Sequence, residues 1–139
     1  MINTDITLED INKIGKGTMV EVLGIKFINI EPDKLVAAMP VDHRTIQPYG
    51  ILHGGASVAL AETLGSVAAY CSIDSTKQLS VGLEINANHI KSVKRGIVTG
   101  TATPIHIGRN THVWGVEIIN EDGKLVCTSR ITMAILDKK

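Results

Sequence analysis

One carboxylate stands apart from the other charged side chains of the chain. Glu62 is the only formally charged residue between positions 45 and 73, a segment built largely from Ala, Gly, Ser, Thr and Leu. An ionised carboxylate in such surroundings costs several kcal/mol unless something compensates it. We therefore predict a catalytic carboxylate, acting as nucleophile or general base, with the Ser66 hydroxyl four residues later on the same helix face. The alternative is a Glu62 that faces solvent or is held by structural hydrogen bonds.

The start of the same segment is suited to binding a carbonyl oxygen. His53-Gly54-Gly55 lies where a helix begins, and the first N–H groups of a helix lack intrahelical partners. The Gly54 N–H is expected to stabilise negative charge that develops on a carbonyl oxygen under attack. Gln47 and His53 flank this terminus and are predicted to line the same pocket. Their alternative roles are an ordinary loop residue and a helix cap.

The spacing of these groups has a consequence for assembly. Gly54 and Glu62 are eight residues apart, which corresponds to roughly 12 Å at about 1.5 Å per residue of helix. The two groups of one chain therefore cannot act on one carbonyl. We predict a homodimer in which two antiparallel central helices, related by a two-fold axis, form composite active sites.

Hydrophobic periodicity predicts the elements that position these groups. A short helix begins at Thr7 and ends at Gly15 to Gly17, and a long helix spans Leu52 to Ile73. Six strands are predicted at residues 25–30, 35–40, 81–89, 96–105, 111–120 and 125–136, the third with one buried face. The order predicts an α+β hotdog fold: one long central helix wrapped by a curved antiparallel sheet of about six strands, in a single domain of residues 1–139.

Composition argues against several classes of function. The net charge is zero, and one Trp, two Tyr and one Phe supply few stacking groups, so we expect no nucleic-acid partner. The segment around Glu62 is too polar for a membrane span, and two cysteines without metal spacing indicate a reducing cytoplasm. The histidines lack a metal-hydrolase signature and no glycine-rich nucleotide loop is present. We therefore expect no metal, no redox cofactor and no membrane partner.

Longer stretches of the chain show a family resemblance. The segment from Gln47 to Ser66 resembles the hotdog-fold acyl-CoA thioesterases, and within them the bacterial 1,4-dihydroxy-2-naphthoyl-CoA hydrolases and related aryl-CoA thioesterases. Val81–His89 and His106–Arg109 are similar to the same subgroup. The resemblance implies hydrolysis of an acyl-CoA, with an aromatic acyl group such as 1,4-dihydroxy-2-naphthoyl, to the free acid and CoA. It also implies a dimer paired into a homotetramer. Two pathways stay open, menaquinone biosynthesis and the housekeeping removal of stray thioesters.

The resemblance also assigns roles to individual residues. It implies a catalytic set that consists of Glu62, Gln47, His53, Gly54 and Ser66. It implies substrate binding by Gly82, His89, Ile90, Lys91, Ser92, His106, Ile107, Gly108, Arg109, Asn110 and Thr111. Coenzyme A is part of the substrate, and the basic candidates for its phosphates are His89, Lys91, His106 and Arg109.

Two other functions remain open at this point. A hotdog hydratase or dehydratase also acts on a thioester with a His and an acidic residue, and His43 or His53 with Glu62 would suit that role. A domain that only binds acyl-CoA would leave Glu62 dispensable. The acyl pocket is expected near Val58, Tyr70 and Leu83, whose shape depends on the fold.

Overall fold

The computed structural model describes residues 1–139 and contains three helices and six strands. The helices are α1 (Leu8–Ile14), α2 (Met19–Val22) and α3 (Gly54–Tyr70). The strands are β1 (Lys26–Glu31), β2 (Lys34–Val41), β3 (Gln78–His89), β4 (Gly96–Ile107), β5 (Thr111–Ile119) and β6 (Leu125–Asp137). The predicted order of two strands, one long helix and four strands is confirmed.

The N-terminal helices are fixed by local capping. Thr7 and Asp10 form a capping box at the start of α1, where the sequence predicts that a helix begins. The short α2 was not predicted, because four residues are too few to show a helical period. Thr18 caps it, and two glycines with positive φ bracket it, Gly17 at 72° and Gly24 at 71°.

All six strands form one antiparallel sheet in the order β1-β2-β4-β5-β6-β3. After α3 the chain enters β3 at one edge and then crosses to β4 in the middle, so β3 pairs with β6. β1 forms the opposite edge. A bulge in β3 between Gly82 and Glu84 interrupts its pairing with β6.

The central helix packs on one face of this sheet. Leu60, Ala61, Leu64 and Ala68 of α3 are fully buried against the strands. Close approach depends on glycine, because a Cβ on Gly65 would collide with the Ile131 side chain of β6. This is the hotdog fold predicted from the sequence. None of the helices has both the length and the apolarity needed to span a membrane.

Two predictions about these elements were wrong in detail. The long helix is shorter at both ends than 52–73, because His53 caps its start and a turn follows Cys71. The buried face predicted for β3 is only partly present within one chain, where Ile85 and Ala87 pack against the core. Val81 and Leu83 are exposed, because β3 is an edge strand and α3 covers only part of it.

Candidate active site

The start of α3 opens into a cavity of about 280 Å³. Six of the predicted site residues line it, together with Ile51, Leu52, Ser57 and Val126: Gln47, Gly54, His89, Ile90, Lys91 and Ser92. The chain leaving β3 is held in place by backbone hydrogen bonds from Ile90 and Lys91 to the Val126 carbonyl. We call these six predicted residues the helix-start group.

Gly54 presents a backbone donor to this cavity. The N–H groups of Gly55, Ala56 and Ser57 are taken by the His53 ring and carbonyl, whereas the Gly54 N–H donates no hydrogen bond within the chain. His89 stands against the same residue, since a Cβ on Gly54 would lie 2.8 Å from its Nε2 atom. An unpaired helix N–H beside an open cavity is a binding position for an oxygen that carries negative charge.

The two residues that flank the helix start both accept local hydrogen bonds from backbone N–H groups. His53 Nδ1 accepts a hydrogen bond from the Gly55 N–H at 2.7 Å, so His53 is the helix cap that the sequence analysis gave as its alternative role. Its side chain does not line the cavity. Gln47 does, and its Oε1 accepts from the Tyr49 N–H, which leaves the side-chain amide N–H groups without a partner in the chain.

Glu62 lies two turns further along α3, half-buried and in contact range of Ser66 and Gly82. The Ser66 Oγ atom is 3.5 Å from Glu62 Oε1, and it also lies 3.9 Å from the Met133 sulfur. A Cβ on Gly82 would come within 2.7 Å of Glu62 Oε1, so only glycine leaves room for the carboxylate there. No Lys or Arg pairs with Glu62, which keeps the carboxylate available to a substrate or a water.

The predicted substrate residues His106–Thr111 form the connection between β4 and β5. The Gly108 N–H closes this turn on the Thr111 carbonyl at 2.9 Å. The ladders align Thr111 with Ala134 and Ala134 with Val81, next to Gly82. The turn therefore lies at the Glu62 end of the sheet. We call Glu62, Ser66, Gly82 and His106–Thr111 the carboxylate-end group of residues.

One chain does not bring the two groups together. In β3, Gly82 and His89 are seven residues apart, a distance of roughly 23 Å at about 3.3 Å per residue. Gly54 and Glu62 are likewise separated along α3, and each lies beside one of these β3 residues: Gly54 contacts His89, and Glu62 contacts Gly82. Each chain therefore holds two incomplete halves of the predicted site at opposite ends.

A buried histidine lies next to the carboxylate-end group of residues. His112 of β5 pairs with Met133, the residue that contacts Ser66. Its Nδ1 and the neighbouring Trp114 Nε1 have no hydrogen-bond partner. Burial lowers the pKa of His112 below its ordinary value, and the nearby N-terminal ammonium acts in the same direction. His112 is therefore held neutral in the core.

Comparisons with known proteins identify the family of this chain. Residues 49–127 match the family model of the thioesterase superfamily. This chain belongs to the thioesterase superfamily. The matched range holds the Gly54 helix start, the Glu62 carboxylate and the β4–β5 connection, whereas Gln47 lies just before it.

Relatives of this thioesterase are similar over almost their whole length. The 1,4-dihydroxy-2-naphthoyl-CoA hydrolase of Escherichia coli K12 is 53% identical over 131 residues, covering 94% of this chain and 96% of the relative. The proofreading thioesterase EntH of Cronobacter sakazakii is 50% identical over 131 residues, covering 94% and 95%. The crystal structure of a mutant thioesterase from Pseudomonas aeruginosa has a TM-score of 0.96 at 45% identity and covers 99% of both chains. The chain is a thioester hydrolase.

The structure of this thioesterase adds one polar residue to the candidate site that was not predicted from the sequence. Ser57 is 1% exposed and lines the helix-start cavity, and its hydroxyl makes no hydrogen bond in the chain. Its spacing of three residues from Gly54 on a predicted helix was the available signal. Val58, Tyr70 and Leu83 do not line the apolar pocket beside Glu62, which is formed by Met19, Val20, Leu23, Ile25, Ala59 and Thr63.

Proposed function

We propose that this thioesterase hydrolyses an aromatic acyl-CoA, with 1,4-dihydroxy-2-naphthoyl-CoA as first candidate, to the free acid and CoA. The observation that carries the proposal is the Glu62 carboxylate, half-buried beside Ser66 and Gly82 and free of any cationic partner. The name of the Escherichia coli relative supports the choice of acyl group. This substrate would place the enzyme in menaquinone biosynthesis. Its two cysteines are both unpaired, which supports a cytoplasmic location.

We propose further that the active site is assembled from two chains. Gly54 contacts His89 and Glu62 contacts Gly82, so the midpoint of each pair lies near Val58 on α3 and near Ile85–Asn86 on β3. A two-fold axis through these midpoints would bring the Gly54 end of one chain onto the Glu62 end of its partner. Both elements would be antiparallel to their copies.

The free edge of β3 supports this dimer. β3 is a 12-residue strand whose outer backbone groups pair with no other strand. Its Leu83 side chain is 64% exposed. Long apolar edges of this kind invite pairing with another chain, and a second β3 would cover both the backbone and the side chains. Two such dimers would then pair into the proposed tetramer.

The composite site would hold a thioester between two kinds of group. The Gly54 N–H of one chain would receive the thioester oxygen, Gln47 would position it, and His53 would cap the helix that presents this N–H. Glu62 of the other chain, with Ser66 beside it, would face the carbonyl carbon. His89 and Lys91 at one end and His106 and Arg109 at the other would offer positive charge to the CoA phosphates.

Two routes lead from this arrangement to the same products. As general base, Glu62 takes a proton from water while the water oxygen bonds to the carbonyl carbon, the C–S bond breaks, and the proton passes to the CoA sulfur. As nucleophile, a Glu62 oxygen bonds to the carbonyl carbon and displaces the CoA thiolate. Water then cleaves the resulting anhydride and restores Glu62. Both routes place negative charge on the oxygen at Gly54.

The experiment is a thiol-trapping assay on hydroxynaphthoyl-, benzoyl- and straight-chain acyl-CoA esters, with wild type and Glu62→Gln. We expect thiol release to be fastest with the aromatic esters, and turnover to fall by about two or more orders of magnitude in the variant. The fold and the native mass should be unchanged. Near-normal turnover in Glu62→Gln would contradict the assignment. Water addition without thiol release would favour a hydratase, and binding without turnover would favour an acyl-CoA-binding domain.

A further inference from the structure

An apolar pocket, open to solvent on one side, adjoins the Glu62 carboxylate on the side of α2. It measures about 110 Å³. Met19, Val20, Leu23 and Ile25 form one wall, Ala59 and Thr63 of α3 form the other, and the Glu62 carboxylate is its only charged lining group. The Thr63 hydroxyl is already bonded to the Ala59 carbonyl at 2.7 Å. Everything else that a ligand would meet there is apolar.

The α2 wall is bracketed by two glycines whose conformation sets its direction. Gly17 and Gly24, on either side of α2, both adopt positive φ. Inside this segment, the Glu21 carboxylate accepts from the Gly17 N–H at 2.7 Å and Thr18 caps the helix. Met19 and Val22 are 63% and 65% exposed, whereas Val20 and the adjoining Leu23 pack against the core. α2 therefore presents an inner face to the pocket and an outer face to solvent.

We propose that α2 selects the acyl group: Met19, Val20 and Leu23 enclose the acyl end of the thioester while Glu62 faces its carbonyl carbon. This inference rests on the proposed function and adds the specificity element to it. The position follows from chemistry, because the acyl group is the part of the substrate bonded to the carbon that Glu62 must reach. An apolar space that opens directly on that carboxylate is where such a group gains most from burial.

The size of the space sets the selectivity. An apolar cavity of roughly 150 Å³ in another protein accommodates benzene. The space beside Glu62 therefore suits a single ring or a short branched chain with α2 in its present position. A two-ring acyl group exceeds this volume and must extend past its open rim along the exposed Met19 side chain. Side chains on the inner face of α2 then decide how much of a two-ring group is accepted.

The test compares two variants on the same exposed face of α2. Met19→Trp adds bulk at the rim of the space, and Val22→Trp adds similar bulk at an equally exposed residue that does not line it. The readout is the ratio of kcat/KM for hydroxynaphthoyl-CoA to that for benzoyl-CoA. Since one methylene in an apolar pocket changes discrimination by about tenfold or more, Met19→Trp should lower the ratio by at least about tenfold. Val22→Trp should leave it within about twofold.

A third variant is expected to change the kcat/KM ratio in the opposite direction. Leu23→Ala widens the space and should raise the same ratio. If it does not fold, Met19→Trp still decides the question, because Met19 is exposed and bulk there needs no repacking of the core. Ratios within about twofold of wild type in Met19→Trp and in folded Leu23→Ala would overturn the inference.

Failure of the proposed function gives a different result. In that case wild type releases no thiol from any acyl-CoA, or Glu62→Gln is as active as wild type. The α2 inference is then tested by binding alone. The affinities of intact benzoyl-CoA and hydroxynaphthoyl-CoA are measured by calorimetry for Glu62→Gln with and without Met19→Trp. Selective loss of hydroxynaphthoyl-CoA binding supports the α2 wall, and equal affinities for both esters overturn it.

Discussion

Gly82→Ala tests the position of the carboxylate without changing any group that reacts. The added Cβ would lie 2.7 Å from Glu62 Oε1, whereas an ordinary contact begins at 3.4 Å, so the carboxylate must retreat by about 0.7 Å. A misplacement of about 1 Å can cost on the order of 10²-fold in rate. We therefore expect kcat to fall by about 10- to 100-fold. The strand itself tolerates Ala, since Gly82 has no positive φ.

The assay is steady-state thiol release, with native mass and thermal unfolding measured on the same samples. Gly115→Ala is the matched control, because Gly115 is also a strand glycine and its added Cβ would meet nothing closer than 3.4 Å. In a Glu62→Gln background the Gly82 substitution should add little, since the two changes act on one group. Wild-type kcat in a folded, dimeric Gly82→Ala protein would refute the role given to Glu62.

Three further predictions follow from individual contacts. Gly54→Pro removes the proposed oxygen donor at the first helical position, which suits the backbone of Pro, and should lower kcat by about 10² to 10³. Gly54→Ala brings the same Cβ against His89 but keeps the N–H, so it should lose less, and equal losses would argue against the donor. Ser66→Ala should reduce turnover less than Glu62→Gln, and a larger loss in the same thiol-release assay would reverse the assignment of roles. Burial lowers the pKa of His112, so the stability that its neutral form contributes is present above pH of about 6.5 and is lost as the pH falls toward the folded-state pKa. Urea unfolding at several pH values should show a free energy of unfolding that depends less on pH in His112→Gln than in wild type. An unchanged pH dependence would contradict this.

The elements that the sequence predicted are those with a clear period or cap. The Thr7 capping signal and the Leu60 and Leu64 spacing located α1 and α3, and alternation located the strands to within a few residues. α2 gave no such signal, because its four residues are held by Gly17, Gly24 and tertiary contacts. Hydrophobic periodicity also cannot show that β3 pairs with β6, because the pairing depends on which strands meet across the sheet.

The site was predicted as a set of residues, and the helix spacing of Gly54 and Glu62 already predicted that one chain separates them; the β3 residue that lies beside each was not predicted. Charge isolation identified Glu62 and helix polarity identified Gly54, and both are local properties of the sequence. The contacts of Gly54 with His89 and of Glu62 with Gly82 join α3 to β3, so only the folded chain shows them. The apolar wall of α2 beside Glu62 lies more than thirty residues away in sequence and was missed for the same reason.

Mixing two inactive variants tests the composite site most directly. Glu62→Gln and Gly54→Pro chains are unfolded together in equal amounts, refolded, and assayed for thiol release. If each site uses Gly54 of one chain and Glu62 of the other, every mixed dimer holds one intact site and one doubly altered site. Random pairing then restores about a quarter of wild-type activity. If both groups come from the same chain, every site keeps one defect, and activity that stays at the level of the separate variants would contradict the account.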